Sequence, residues 1–233
     1  MHVTDLEKLT RNLYALRLDG LYAANIDIEV LSKHGIRVGT DVWNEELFEI
    51  KEESKRSRAF RKGLDLLKCK SFTRAQMIDK LVNFLGNLDD LEISCDFLDK
   101  KDQFKNAVRG FKSASNEEVA DEVVERLKEI RMIDDVGYAK NCAQELFENK
   151  FLAAERVMQE LLIRGIAVDV VCNMIDDVTP EPTGQIFKFL KKKYPDWGKD
   201  FKVERRAIEA LERLGYDWET IEESLRKFKD DFA

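Results

Sequence analysis

The chain is predicted to be mostly α-helical: three tandem three-helix repeats in an elongated array, preceded by a small N-terminal β-hairpin and helix module. Three observations predict this. Apolar residues recur at helical spacing through most of the 233 residues, with only three prolines to interrupt them. Helix starts with the same capping chemistry recur along the chain. Two stretches also share one set of apolar offsets. Met158, Leu161, Gly165, Ile166, Val171 and Ile175 match Ile208, Leu211, Gly215, Tyr216, Ile221 and Leu225. Self-similarity of this kind marks repeats that complete their cores against their neighbours.

Residues 13–18 and 21–25 read as two short strands around Asp19-Gly20, a pair suited to a type I′ turn. Asp27 is placed to cap a short helix over 28–34, and Gly35 to end it. His34, in its last turn, reads as surface decoration. A helix starts at Asn44 with Leu47, Phe48 and Ile50. Residues 51–58 are a charged stretch, after which Ala59, Phe60, Gly63, Leu64 and Leu67 restore an apolar face. Thr73 to Gln76 reads as a capping box with Phe72 and Met77 as its staple pair, opening a helix to Leu85. Residues 87–111 are apolar but irregular in period and are assigned helix.

From residue 116 the pattern is regular. Ser115 to Glu118 is a second capping box. At Ile133-Asp134-Asp135-Val136-Gly137-Tyr138, Asp134 is the N-cap, Ile133 and Tyr138 are the staple positions, and Asp135 adds charge that the helix dipole favours. Helices are predicted over 116–132, 135–149, 151–164, 169–176, 183–194, 199–214 and 217–229. The expected division is a hairpin and helix module at 1–55, repeat 1 at 56–132 with an insertion at about 86–114, repeat 2 at 133–178 and repeat 3 at 179–233.

Composition narrows the chemistry. The formal net charge is −7, which opposes tight, sequence-independent DNA coating. Four scattered cysteines and two histidines form no metal-ligand pattern and suit a reducing cytoplasm. The first residues show no signal-peptide core, and no apolar run is long enough to span a bilayer. There is no Gly-rich phosphate loop and no catalytic or metalloprotease motif. The expectation is therefore a cytoplasmic protein that is not an enzyme and needs no metal or cofactor. Charge is segregated: residues 116–135 carry eight acidic and three basic groups, net −5, and residues 185–213 carry nine basic and five acidic, net +4. Lys188, Lys191, Lys192, Arg205 and Arg206 are the candidate partner-binding residues, a basic wall suited to an acidic partner or to DNA phosphate. The bland alternative is a solvated helix face. The helices after Gly165 and Gly215 lack residues that read base edges.

The chain resembles the RecX family, bacterial regulators of the recombinase RecA. The likeness rests on Leu127-Lys128-Glu129 followed by Ile133-Asp134-Asp135 and Tyr138-Ala139, on Glu160-Leu161-Leu162-Ile163-Arg164-Gly165-Ile166, and on Leu211-Glu212-Arg213-Leu214-Gly215-Tyr216 with Ile221 following. Upstream it extends through Ala59, Leu64, Leu67, Thr73, Gln76, Met77 and Leu81. Two features depart from the family: the insertion at 86–114, and residues 149–153, Asn-Lys-Phe-Leu-Ala, where the family has a basic, glycine-containing segment. The resemblance implies a monomer that binds RecA, as a filament on single-stranded DNA, and lies in the filament groove. It implies damping of filament growth, ATP hydrolysis and strand exchange. The rival readings are a general helical-repeat adaptor and a weak DNA-binding module.

Overall fold

A computed structural model describes residues 1–94, 113–198 and 200–230. The described chain is mostly helical, with one small antiparallel sheet at its start. Two compact units divide it: residues 1–72 with 76–133, and residues 73–75 with 134–233.

In the first unit, strands β2 (Leu13–Leu18) and β3 (Leu21–Asp27) pair through the expected turn, with Asp19 at φ 51° and Gly20 at φ 81°. Positive φ at both central residues is what a type I′ turn requires, and it matches the natural twist of the strands. The sequence reading missed a strand. β1 (Val3–Lys8) pairs antiparallel with β2, so the hairpin is one part of a three-stranded sheet. Val3, Leu16, Leu18, Ala24 and Ile26 line its buried face. Helix α1 (Ile28–Lys33) is capped by Asp27, whose carboxylate accepts from the Glu29 N–H at 3.0 Å, and Gly35 follows at φ 65°. His34 is more than decoration. Its Nε2 lies 2.8 Å from Glu53, and its side chain is largely enclosed.

Helix α2 (Asn44–Leu67) is continuous through the charged stretch, so residues 55 and 56, the expected domain boundary, lie inside it. Its first half buries Leu47 and Ile50 against the sheet core. Its second half buries Ala59 in a separate helical core with α3 (Arg74–Ser94) and α4 (Asn116–Glu129). Asp27 joins the two regions. It is fully buried, and Arg61 of α2 grips it with Nη1 at 2.5 Å and Nη2 at 3.1 Å. The Asp27 N–H donates to Ser54 Oγ at 2.9 Å. A buried carboxylate is tolerable only when paired and hydrogen-bonded in this way. Gly63 lets α2 approach α4, since a Cβ there would lie 2.8 Å from Leu127 Cδ1. Helix α3 runs well past the expected end at Leu85. The remainder of the helix expected over 87–111 lies outside the described residues.

In the second unit, α5 (Asp135–Lys150), α6 (Ala154–Ile163) and α7 (Val168–Val178) enclose one apolar cluster. Helices α8 (Pro182–Lys193), α9 (Phe201–Arg213) and α10 (Trp218–Asp230) enclose another. Leu161 and Leu211 are fully buried at matching positions, as are Val171 and Ile221. Fully burying a side chain of this size contributes roughly 1.5–3 kcal/mol. Gly165 and Gly215 follow α6 and α9 at φ 80° and φ 96°, left-handed positions that a Cβ disfavours. Phe151 is at φ 57°, an aromatic residue in a conformation favoured by glycine. Its ring is buried among those of the last three helices, 5.8 Å from Phe189.

Candidate partner-binding face

The chain reversals come first, because they set how the helices present their surfaces. Asp134 caps α5, accepting from the Gly137 N–H at 3.0 Å, and a Cβ at Gly137 would crowd that carboxylate in its capping position. Asp135 accepts from the Arg74 N–H at 2.9 Å, so it caps α3, a helix 61 residues away in sequence. The adjacent aspartates thus serve two different helix starts. Ile133 is buried with the α2–α4 cluster, and Tyr138 packs on the α5–α7 cluster. The Tyr138 hydroxyl accepts from Arg164 Nη1 at 3.4 Å.

The two glycine turns share one kind of joint. The carbonyl before Gly165, that of Arg164, accepts from Thr73 Oγ1 at 3.0 Å. The carbonyl before Gly215, that of Leu214, accepts from the Ala153 N–H at 3.0 Å. In each case a helix C-terminus, rich in unpaired carbonyls, meets a donor at the start of another helix. A Cβ on Gly165 would lie 2.6 Å from Ala75 Cβ, and one on Gly215 would lie 3.0 Å from Arg156 Cβ.

The five candidate basic residues are all exposed. Lys188, Lys191 and Lys192 stand at i, i+3 and i+4 on α8, one stripe opposite the buried Ile186, Phe189 and Leu190. Lys191 and Lys192 occupy the last turn, where the helix dipole favours cations. Lys192 Nζ lies 5.3 Å from the Phe151 ring centroid, a cation–π contact worth about 0.5–1 kcal/mol at an exposed site. Arg205 and Arg206 form a second stripe on α9, above the buried Ala207, Ala210 and Leu211. Arg205 Nε is 3.0 Å from Glu209, an exposed pair that offsets part of its charge. Both helices pack against α10.

Sequence reasoning missed Phe201, which is 78% exposed in the first turn of α9, beside Lys202 and one turn before Arg205. The available signal was its position off the apolar stripe of that helix. The acidic stretch of α4 also belongs to a wider feature. With α2 it lines an open groove in the first unit that includes Glu49, Glu52, Glu117, Asp121 and Glu122, with Phe48 and Ile78. Among the described residues no group of three or more His, Cys, Asp or Glu side chains is placed to hold a metal ion, and no helix is long and apolar enough to cross a membrane.

Comparison with known proteins places the chain. No family model matches it. It is 24% identical over 221 residues to the regulatory protein RecX of Caldanaerobacter subterraneus subsp. tengcongensis, covering 91% of each chain. It is 24% identical to the regulatory protein RecX of Streptococcus agalactiae over an alignment covering 98% of this chain and 100% of the other. A crystal structure of a regulatory protein RecX superposes with a TM-score of 0.62 at 19% identity, covering 95% of this chain and 97% of that one. The crystal structure of RecX from Lactobacillus salivarius gives a TM-score of 0.51 at 15% identity, over 75% of this chain and 97% of that one. The solved structures share the fold, and the sequence likeness to regulatory proteins named RecX runs nearly end to end.

Proposed function

We propose that this protein binds the RecA recombinase assembled on single-stranded DNA, lies in the filament groove, and restrains filament growth, ATP hydrolysis and strand exchange. The observation that carries the reading is the similarity to RecX regulators over nine-tenths of both chains. In this reading the protein acts in the cytoplasm, as a monomer, by obstruction and without catalysis. Its three-helix groups are repeats, the last two divided as the sequence suggests at 133–178 and 179–233. They contact successive recombinase subunits, and multivalent contact makes binding to a filament tighter than binding to a free subunit.

The contact is assigned to Lys188, Lys191 and Lys192 of α8 and to Arg205 and Arg206 of α9. Their exposure in a chain of net charge −7 supports the assignment. Complementary charge raises association rates and makes binding salt-dependent.

The test is recombinase ATP hydrolysis on single-stranded DNA, titrated with this protein. Inhibition that saturates is expected. A variant with Lys188, Lys192, Arg205 and Arg206 all changed to Glu should fold, because exposed charge changes seldom cost much stability, and should inhibit more weakly. Full-strength inhibition by the folded variant moves the contact elsewhere, first to the acidic groove of α2 and α4. No inhibition by the unmodified protein, with binding to bare single-stranded DNA instead, favours the DNA-binding module.

A further inference from the structure

One kind of joint occurs twice in the second unit. The start of α3 meets the turn after α6: Thr73 Oγ1 donates to the Arg164 carbonyl, and Ala75 fills the space beside Gly165. The start of α6 meets the turn after α9: the Ala153 N–H donates to the Leu214 carbonyl, and Ala153 and Arg156 close on Gly215. Each joint seats a helix start on a helix C-terminus that turns at a left-handed glycine. The second joint also carries an aromatic plug. Phe151 lies two residues before Ala153, and its ring is buried in the α8–α10 core, 5.8 Å from Phe189.

Phe201 stands fifty residues after Phe151, the offset that relates Leu161 to Leu211 and Gly165 to Gly215. Its ring is 78% exposed at the start of α9 and has no place in the α8–α10 core. Among the described residues no backbone hydrogen bond ties the start of α9 to the end of another helix. Lys202, Arg205 and Arg206 stand exposed around the ring, whereas Leu152, Glu155 and Arg156 hold the positions fifty residues earlier. The Asp200 carboxylate is turned back on its own helix, accepting from the Lys202 N–H at 2.9 Å.

We propose that the start of α9 is a third joint of this kind, completed by the partner. It seats on a helix C-terminus of the recombinase, and Phe201 enters an apolar pocket beside that end as Phe151 enters the α8–α10 group. The inference rests on the recombinase being the partner, and it adds an apolar anchor to a contact so far assigned to charge alone. Burying an exposed aromatic ring is a large favourable contribution to association. The open carbonyls of a helix C-terminus carry partial negative charge, which Lys202, Arg205 and Arg206 complement. A second copy of this chain is a poor source of such an end. Its Gly165 and Gly215 turns are already filled, and the open turn at Gly35 is flanked by Lys33 and Arg37, so cations would face cations. Single-stranded DNA is the competing occupant, since phosphate suits the cations and a base can stack on the ring. The repeated joint favours the helix end.

The experiment uses the full chain and recombinase filaments on single-stranded DNA. Phe201→Ala should bind the filament about tenfold or more weakly, with its melting temperature unchanged, and Phe201→Leu should recover most of the loss. With p-benzoylphenylalanine in place of Phe201, irradiation should give adducts in the last turn of a recombinase helix or in the residues just after it. The proposal is overturned by undiminished binding of Phe201→Ala, or by adducts on the flank of a helix, on a strand, on DNA or on a second copy of this chain. Undiminished binding of Phe201→Ala leaves the recombinase reading standing, whereas failure of the unmodified protein to bind the filament defeats both. If Phe201→Ala does not fold, the adduct positions decide.

Discussion

Helices α6 and α7 and helices α9 and α10 are two versions of one plan. Leu161 and Leu211 are fully buried, Gly165 and Gly215 turn the chain at positive φ, and the carbonyl before each glycine accepts from the start of another helix. Their surfaces have diverged. The first turn of α9 shows Phe201 and Lys202, with Arg205 and Arg206 close behind, whereas α6 opens on Ala154, Glu155 and Arg156. The caps differ as well. Asp200 caps α9 with its carboxylate, while Ala153 begins α6 with no side-chain cap. Ala153 instead gives its N–H to Leu214 at a close approach, where a larger residue would crowd Gly215. The interior offsets set the frame, and each helix start then takes the chemistry of whatever it meets.

The most direct way to break this equivalence is at its buried leucines. Leu161→Ala and Leu211→Ala should each cost about 2–5 kcal/mol, measured by chemical denaturation. A cost under 1 kcal/mol at either site would mean that the two positions are not equivalent. The glycines sharpen the comparison. Forcing a Cβ into a left-handed position costs about 1–2 kcal/mol before any clash. Gly165→Ala should exceed Gly215→Ala, because its Cβ would press on the backbone-anchored Ala75 Cβ at 2.6 Å instead of on Arg156 Cβ at 3.0 Å. The reverse order in thermal melts would show that the second joint is the tighter one.

Smaller effects are expected at the caps. Asp134→Ala should cost about 0.5–2 kcal/mol and Asp134→Asn almost nothing, since asparagine caps as well as aspartate. A marked stability gain on adding magnesium or calcium would instead reveal a metal site at Asp134-Asp135. The smallest expected effect is a dependence on pH from two carboxylates of the last three helices. Hydrogen bonds from Thr220 hold Asp217 below its ordinary value of 3.8. At Glu181 burial pushes upward, but hydrogen bonds from Gly184 and Thr183 outweigh it and bring the carboxyl below 4.5. Both groups bind protons less readily in the folded state than in the unfolded one, so their contribution is present at neutral pH and is lost as pH falls below about 4. Asp217→Asn should flatten the fall in melting temperature over that range, and an unchanged slope would remove Asp217 from the account.

Much of the frame was readable because its causes are local. The Asp19-Gly20 turn, the Asp27 cap, the Ser115 and Glu118 capping box and the Asp134 cap each involve groups within four residues of one another. Leu161 and Leu211 could be placed in the core by their spacing from the glycines. The exposure of the five basic residues followed from the same periodicity, since each lies off its helix's apolar stripe. Strand β1 was missed because Val3–Lys8 is mostly polar and becomes a strand by pairing with β2. The unbroken α2 was missed because a charged run looks like a break until both ends are seen to pack on different cores and its charges to pair with other elements.

By itself, the sequence determined most helix starts, the hairpin turn and the buried offsets, because short-range hydrogen bonds and the 3.6-residue period act within a few residues. Tertiary structure alone decided which distant groups complete one another. Asp135 caps Arg74 across 61 residues, Thr73 meets the Arg164 carbonyl across 91, and Arg61 neutralises Asp27 across 34. The reason is physical: a polar group must be satisfied once it is buried, and its partner is whichever group the packed helices bring within hydrogen-bond reach.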